Sequence, residues 1–165
     1  MSQRAKRIFL AVCIIVPFLL YCFYYYSIMI KNAPYRFADF ESIVLKYGEG
    51  ENLANQFDSE TGYYQYLTAG DSLASDTIRL RKDDLLYLHR KAAELGFWNL
   101  PEDMTTPTAT DTEPVPRFFL QFNYKEKSKE ITIDADFSSD NPKMEQTAKS
   151  VIDEVRRVLS DARDR

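Results

Sequence analysis

Cysteine is missing from most of this chain. Both cysteines, Cys13 and Cys22, lie inside the apolar stretch 8–30, and residues 31–165 contain none. Disulfide scaffolds, cysteine nucleophiles, thiolate zinc sites and iron–sulfur clusters are therefore excluded outside that stretch. Nine residues apart on a helix, the two thiols lie on roughly opposite faces, so they do not form an intrachain bridge there.

Histidine is almost as scarce, with His89 as its single instance. A catalytic zinc site built on it would need carboxylates for every other ligand, which is uncommon. The G-x-S-x-G pattern of a serine hydrolase is absent. A hydrolase would require a pocket joining His89 to a serine or a carboxylate. We instead expect His89 to be a surface residue of a helix, and we predict a non-enzymatic chain with no cofactor.

Positive charge is also in short supply after the apolar stretch. Residues 31–165 carry 18 Lys and Arg against 25 Asp and Glu, a net charge of −7. Phosphate backbones and anionic lipid surfaces attract the opposite sign. The composition therefore argues against nucleic-acid binding and against a domain that lies on anionic lipid.

What the chain does have is a run of 23 residues, 8–30, interrupted only by Pro17 and Ser27 and free of charge. As a helix it would extend roughly 35 Å, enough to cross a hydrocarbon core of about 30 Å. Tyr21 and the tyrosines at 24–26 collect near its end, as in the aromatic belt at a membrane surface. The run predicts a single transmembrane helix.

Three fates of this run remain open: cleavage, lipid attachment at Cys22, or a permanent anchor. No Ala-x-Ala site follows it, and bulky Tyr21 stands where a lipoprotein signal needs a small residue. These features favour an uncleaved signal-anchor. Three basic residues precede the run and two, Lys31 and Arg36, follow it. Because positive residues prefer the cytoplasm, we expect the C-terminal domain to be extracytoplasmic.

The rest of the chain is long enough for one domain. We divide the sequence into a cytoplasmic tail 1–7, the transmembrane helix 8–30, a linker 31–38, a soluble domain 39–161 and a tail 162–165. Hydrophobic alternation predicts strands over 40–47, 62–67 and 77–81, and a hairpin over 118–124 and 131–135.

Two helices complete the predicted domain. The spacing of Leu85, Leu88, Ala92 and Leu95 predicts a helix that ends at Gly96, and Pro142 predicts the start of a closing helix. The segment 102–116 is expected to be an exposed loop. The fold class is therefore α+β, with the order β-β-β-α-β-β-α and an antiparallel sheet packed against two helices.

An acidic segment offers the one candidate cation site. Counting from Asp134, side-chain oxygens fall at the first, third, fifth, seventh and twelfth positions of a calcium loop; these are Asp134, Asp136, Ser138, Asp140 and Glu145. However, Ser139 replaces the glycine that such a loop needs at its sixth position, and Pro142 fills the ninth. Turns and helix caps also attract these residue types. Calcium binding is kept as an alternative.

Adjacent carboxylates and aromatic clusters are weaker candidates. The pairs Asp83–Asp84 and Glu102–Asp103 do not face each other on a helix, and we expect both to be solvated. Aromatic side chains at 63–66 and 118–122 alternate as core residues do. Phe119 and Tyr64 would point away from the core, and they form a candidate contact patch if both prove to be exposed.

The segments Thr77–Leu80 and Leu95–Pro101, with the hairpin and the closing helix, resemble small domains of bacterial envelope proteins and lipoproteins over residues 62–159. The shared residues serve core packing and capping, so the resemblance implies no activity. We expect a single-pass envelope protein that acts as a binding or accessory module, with the membrane and a protein as partners. The alternatives are an extracytoplasmic ligand- or calcium-binding domain and, less favoured, a lipoprotein or a hydrolase.

Overall fold

A computed structural model describes residues 3–32, 35–106 and 114–165. The chain forms two compact units, Met1–Tyr35 and Arg36–Arg165. The first contains helix α1, Gln3–Asn32, with Pro17 inside it. Within α1, Gln3–Ser27 is long and apolar enough to cross a membrane, and none of its most apolar window is buried. Such a helix is compatible with a transmembrane segment and also with a signal sequence.

The second unit is an α+β domain built on one sheet of seven strands, whose spatial order is β4-β3-β2-β1-β6-β7-β5. In the described part of this unit there are two α-helices, α2 at Lys82–Leu95 and α3 at Pro142–Arg163, and two short 3-10 helices that the sequence did not predict, at Phe37–Asp39 and Phe97–Asn99. The strands are β1 Phe40–Glu49, β2 Asn52–Asp58, β3 Tyr63–Leu67, β4 Leu73–Thr77, β5 Asp103–Met104, β6 Pro116–Tyr124 and β7 Lys127–Asp134.

The α+β class is confirmed, but the predicted order of elements is wrong in detail. β2 was missed, since its sequence NLANQFD is polar and only Phe57 is fully buried. The third predicted strand, 77–81, lies largely in the connection to α2, and β4 ends at Thr77. β5 occupies part of the predicted loop 102–116 and pairs with β7 in parallel, so the sheet is mixed rather than antiparallel. Residues 107–113 of that loop lie outside the described residues.

One face of the sheet is covered by the helices. Residues that pair across antiparallel strands share a face, and Phe57, Leu45, Leu120 and Ile131 pair in succession from β2 to β7. All four are at most 1% exposed. α3 closes this core with buried side chains at Ala148, Val151, Ile152, Val155, Val158 and Leu159.

The helix ends explain where the helices begin and stop. The Asp84 carboxylate accepts a hydrogen bond from the Arg81 backbone N–H at 2.9 Å, which satisfies one unpaired donor at the start of α2. Gly96 ends α2 with φ of 85°, a left-handed conformation that glycine adopts at little cost. Pro142 begins α3 as expected.

Candidate functional site

The candidate site is a groove between α3 and the β1–β3 part of the sheet, with a volume of about 400 Å³. We call it the Tyr–Arg groove. Its floor consists of Leu45, Ile78 and Leu159, which are all buried. Its walls are lined by Tyr47, Tyr64, Asp153, Arg156, Arg157, Ser160 and Arg163. The groove therefore combines an apolar floor with polar and charged walls.

Two tyrosine hydroxyls meet in this groove. The register places Tyr64 opposite Phe57 and Phe57 opposite Leu45, so Tyr64 and Tyr47 point to the same, helix-covered face. Their hydroxyl oxygens are 3.2 Å apart. Burial, and then the hydrogen bond to Tyr64, raise the pKa of Tyr47 to about 12, while the charges of Arg156 and Arg163 lower it. Tyr47 is therefore protonated at neutral pH.

Three arginines of α3 approach aromatic rings. The Arg156 guanidinium lies 5.8 Å from the ring centroid of Tyr47 and 5.9 Å from that of Phe118. The guanidinium of Arg163, the last residue of α3, lies 5.3 Å from the ring centroid of Tyr66. Cations are attracted to ring faces at such distances. The rings therefore hold two guanidinium groups at the edge of the groove.

The third arginine, Arg157, is already engaged by acidic groups. It donates to Glu154 at 2.8 Å and to Asp161 at 3.1 Å, and also to the Tyr87 hydroxyl at 3.1 Å. These bonds to Glu154 and Tyr87 raise its pKa. Asp153, four residues before Arg157 on α3, lies 3.9 Å from Arg156 instead.

His89 is not the surface residue that the sequence predicted. It is 8% exposed, and its Nδ1 lies 2.9 Å from the hydroxyl of Tyr124. The rings of Phe37, Phe40 and Trp98 surround it with centroids 5.6 to 6.1 Å away. Burial, and then the charge of Arg90, lower the pKa of His89. We use the name His89 cluster for the five side chains of His89, Tyr124, Phe37, Phe40 and Trp98.

His89 was predicted to be exposed because the buried face of α2 is wider than the predicted stripe of leucine and alanine residues. Leu88 and Ala92 are buried as predicted, and His89 lies next to Leu88 on the side that faces β6. No serine or carboxylate is within hydrogen-bonding distance of His89 in the described part of the chain. A nucleophile activated by His89 is therefore not assembled among those residues.

Asp134, the first residue of the candidate calcium loop, is engaged by a cation of the protein itself. It is 3% exposed and accepts from Arg117 Nε at 2.6 Å and Nη2 at 3.1 Å. Its second oxygen also accepts from the Thr106 backbone N–H at 2.9 Å. Burial raises its pKa, but Arg117 and Thr106 outweigh this and lower it. Asp134 therefore links the end of β7 to Arg117 near the start of β6.

The rest of the candidate loop is exposed or engaged locally. Asp136 accepts from the Thr106 hydroxyl at 3.2 Å, and the Glu145 carboxylate pairs with Lys149 at 2.7 Å. Within residues 3–32, 35–106 and 114–165, no three His, Cys, Asp or Glu side chains are grouped as metal ligands would be. The geometry gives a calcium site no support.

The adjacent carboxylates have local roles. Asp84 caps α2 and also pairs with Arg165 at 2.9 Å. Asp103 accepts from the hydroxyl and the backbone N–H of Thr105, and these bonds lower its pKa. Asp84 and Asp103 are therefore both engaged by nearby groups of the protein.

The proposed patch of Phe119 and Tyr64 is wrong. Tyr64 points into the Tyr–Arg groove, whereas Phe119 points to the open face of the sheet, where Lys46 lies 5.6 Å from its ring. In the register of β1 and β6, Phe119 pairs with Lys46, and the next residue, Leu120, pairs with the buried Leu45. Phe119 therefore lies on the face of the sheet opposite the helix-covered core. The two aromatic side chains therefore belong to different surfaces.

The arginines of the groove were not predicted from the sequence. Arg156 and Arg163 are seven residues apart and so share one side of α3. That spacing is visible in the sequence, but the strands that supply Tyr47, Tyr64 and Tyr66 are not adjacent in it. A scan of protein-family models gives no match to this chain, and a search of curated proteins gives no significant one.

Proposed function

We propose that this chain is a single-pass membrane protein of the cell envelope whose folded unit, Arg36–Arg165, is a non-enzymatic binding module on the extracytoplasmic side. The observation that carries the proposal is α1, a helix whose apolar side chains are not buried against protein. Apolar side chains exposed over this length are stable in a bilayer and not in water. The flanking basic residues support the orientation.

A binding role is supported by the open Tyr–Arg groove. It offers guanidinium groups and tyrosine hydroxyls at a concave surface, as ligand sites commonly do. The general base and nucleophile that a hydrolase would need are not adjacent, since His89 is enclosed by aromatic rings. These features support a recognition surface rather than an active site.

Cysteine labelling tests the topology, because residues 31–165 contain no thiol of their own. We would replace Cys13 and Cys22 by alanine and introduce either Ser128→Cys, at an exposed position of β7, or Gln3→Cys, at an exposed position of α1. A membrane-impermeant maleimide should label Ser128→Cys in intact cells and Gln3→Cys only after permeabilisation. The reverse pattern, or labelling of neither in intact cells, would contradict the proposed orientation.

Intact-mass measurement of the wild-type chain, which keeps Cys22, tests whether the anchor is retained. A mass that includes α1 supports a permanent anchor, whereas a chain beginning at Cys22 with a lipid, or beyond it, contradicts it. For the binding role, crosslinking in cells followed by purification should recover a reproducible set of envelope partners or ligands. Recovery of none would count against a binding module.

A further inference from the structure

The Tyr–Arg groove carries positive charge in an acidic domain. Residues 31–165 have a net charge of −7, yet three arginines and one aspartate line the groove. Arg157 forms ion pairs with both Glu154 and Asp161. Arg156 and Arg163 are the two guanidinium groups of the lining that are less engaged by carboxylates.

These two arginines have little or no compensation from acidic side chains. Arg156 has only Asp153, at 3.9 Å, and that carboxylate is 74% exposed. Arg163 has no ion pair among the residues that the structure describes. Asp76 pairs with Tyr64 across β3 and β4, and its carboxylate accepts from the Thr77 backbone N–H at 2.7 Å. Arg156 and Arg163 are therefore the guanidinium groups of the groove that are open to an anionic ligand.

Both guanidinium groups act on one point. They are seven residues apart on α3, about two turns or roughly 10 Å along the axis. Arg156 lies over the ring of Tyr47, and Arg163 lies over Tyr66, whose ring stacks on that of Tyr64 with centroids 5.4 Å apart. The charges of both arginines accordingly lower the pKa of the Tyr47 hydroxyl. An anion beside that hydroxyl would be within the field of both arginines.

The tyrosine pair supplies a neutral donor at the same point. Two hydroxyls carry two hydrogens, and the bond between Tyr47 and Tyr64 uses one of them. Within the described part of the chain, no acceptor is bonded to the second. Hydrogen bonds from guanidinium and hydroxyl groups to an anion are shorter and stronger than neutral ones.

We infer that the Tyr–Arg groove binds a small organic anion, with its carboxylate or phosphate between Arg156 and Arg163 and its carbon skeleton on the floor of Leu45, Ile78 and Leu159. This inference rests on the proposed binding role and names the ligand class. The spare tyrosine O–H donates to the anion, and both guanidinium groups donate from the α3 side. Carboxylate and phosphate share this chemistry and are distinguished by the test.

The test uses the full chain in detergent, titrated with phenyl phosphate, with benzoate and with neutral benzyl alcohol by calorimetry. Saturable binding of either anion, without binding of the alcohol, is expected. Binding of phenyl phosphate alone assigns a phosphate site, and of benzoate alone a carboxylate site. No saturable binding of either anion, or equal binding of the alcohol, would overturn the inference.

Variants locate the site. Arg156→Gln and Arg163→Gln should each weaken binding about tenfold, the loss of one charge-assisted hydrogen bond. The matched control is Lys143→Gln, which removes the same charge from an exposed position on the first turn of α3. An equal loss with the control would mean general charge attraction and would contradict a defined site. Because labelling of Ser128→Cys does not depend on the groove, topology and ligand class can fail separately.

Discussion

The two ends of β1 meet the helices in opposite ways. At its start, Phe40 belongs to the His89 cluster, where a basic side chain and the Tyr124 hydroxyl are enclosed together. At its end, Tyr47 belongs to the Tyr–Arg groove, where Arg156 remains 52% exposed above a tyrosine pair. Both ends use the same components: aromatic rings, a tyrosine hydroxyl and a basic group.

The difference follows from which basic group can lose its charge. Burial lowers the pKa of His89, so its neutral ring can be packed among Phe37, Phe40 and Trp98 without an unpaired ion. A guanidinium stays charged at any pH a protein meets, and enclosing it would need a carboxylate. The arginines of the groove therefore remain at the surface, available to a ligand.

The largest expected effect comes from removing a large buried ring that packs against the His89 cluster. Phe122 is fully buried and contacts Phe40, Phe97 and Trp98. Phe122→Ala should lower the free energy of unfolding by about 3–5 kcal/mol, since it removes a large ring and leaves a cavity. Denaturant unfolding of the detergent-solubilised chain measures this.

The control for that prediction is on the same strand. Phe119→Ala changes the same residue type on the open face, where the ring is only half-buried, and should cost about 1 kcal/mol. Equal losses for the two variants would show that the open face is as tightly packed as the helix-covered face.

A smaller effect should appear on acidification. Because the pKa of His89 is lower when folded than its ordinary value of 6.5, the unfolded chain binds a proton first. The contribution of His89 to stability is complete above pH 6.5 and is lost as the pH falls below it, with a slope approaching about 1.4 kcal/mol per pH unit. His89→Gln keeps a polar partner for Tyr124 but cannot ionise.

Unfolding of wild type and His89→Gln at several pH values tests this sign. The difference between them should narrow as the pH drops from about 7 to 5. Among the described residues, the charged or ionisable groups that act on His89 are Arg90, next along α2, and Tyr124 on β6. A difference independent of pH would mean that His89 is not buried in its neutral form.

Local patterns in the sequence were enough for the helices and for the hairpin of β6 and β7. Leu88 and Ala92 of α2 are buried as their spacing predicts, and α3 begins at Pro142 as expected. β2 could not be found because only Phe57 reaches the core, so its alternation is too weak to read. β5 has two residues, and its pairing with β7 depends on a contact far along the chain.

The site was harder to predict for the same reason. Tyr47, Tyr64 and Arg156 come from β1, β3 and α3, and only the sheet order places them together. His89 was misassigned because a polar residue beside a buried stripe reads as exposed unless its partner, Tyr124, is known. Asp134 was likewise considered as a calcium ligand because the sequence does not reveal that Arg117 pairs with it across β6 and β7.

The smallest expected effect is electrostatic and confined to the Tyr–Arg groove. Tyr64 raises the pKa of Tyr47, which is about 12, and Arg156 lowers it. Tyr64→Phe should therefore lower the pKa of Tyr47, and Arg156→Gln should raise it, while each changes the free energy of unfolding by less than about 1 kcal/mol. Ultraviolet titration, with the Tyr47→Phe variant subtracted to isolate this one tyrosine, measures both shifts. Shifts in the same direction for the two variants would mean that the groove is arranged by packing alone and that its arginines do not act on the Tyr47 hydroxyl.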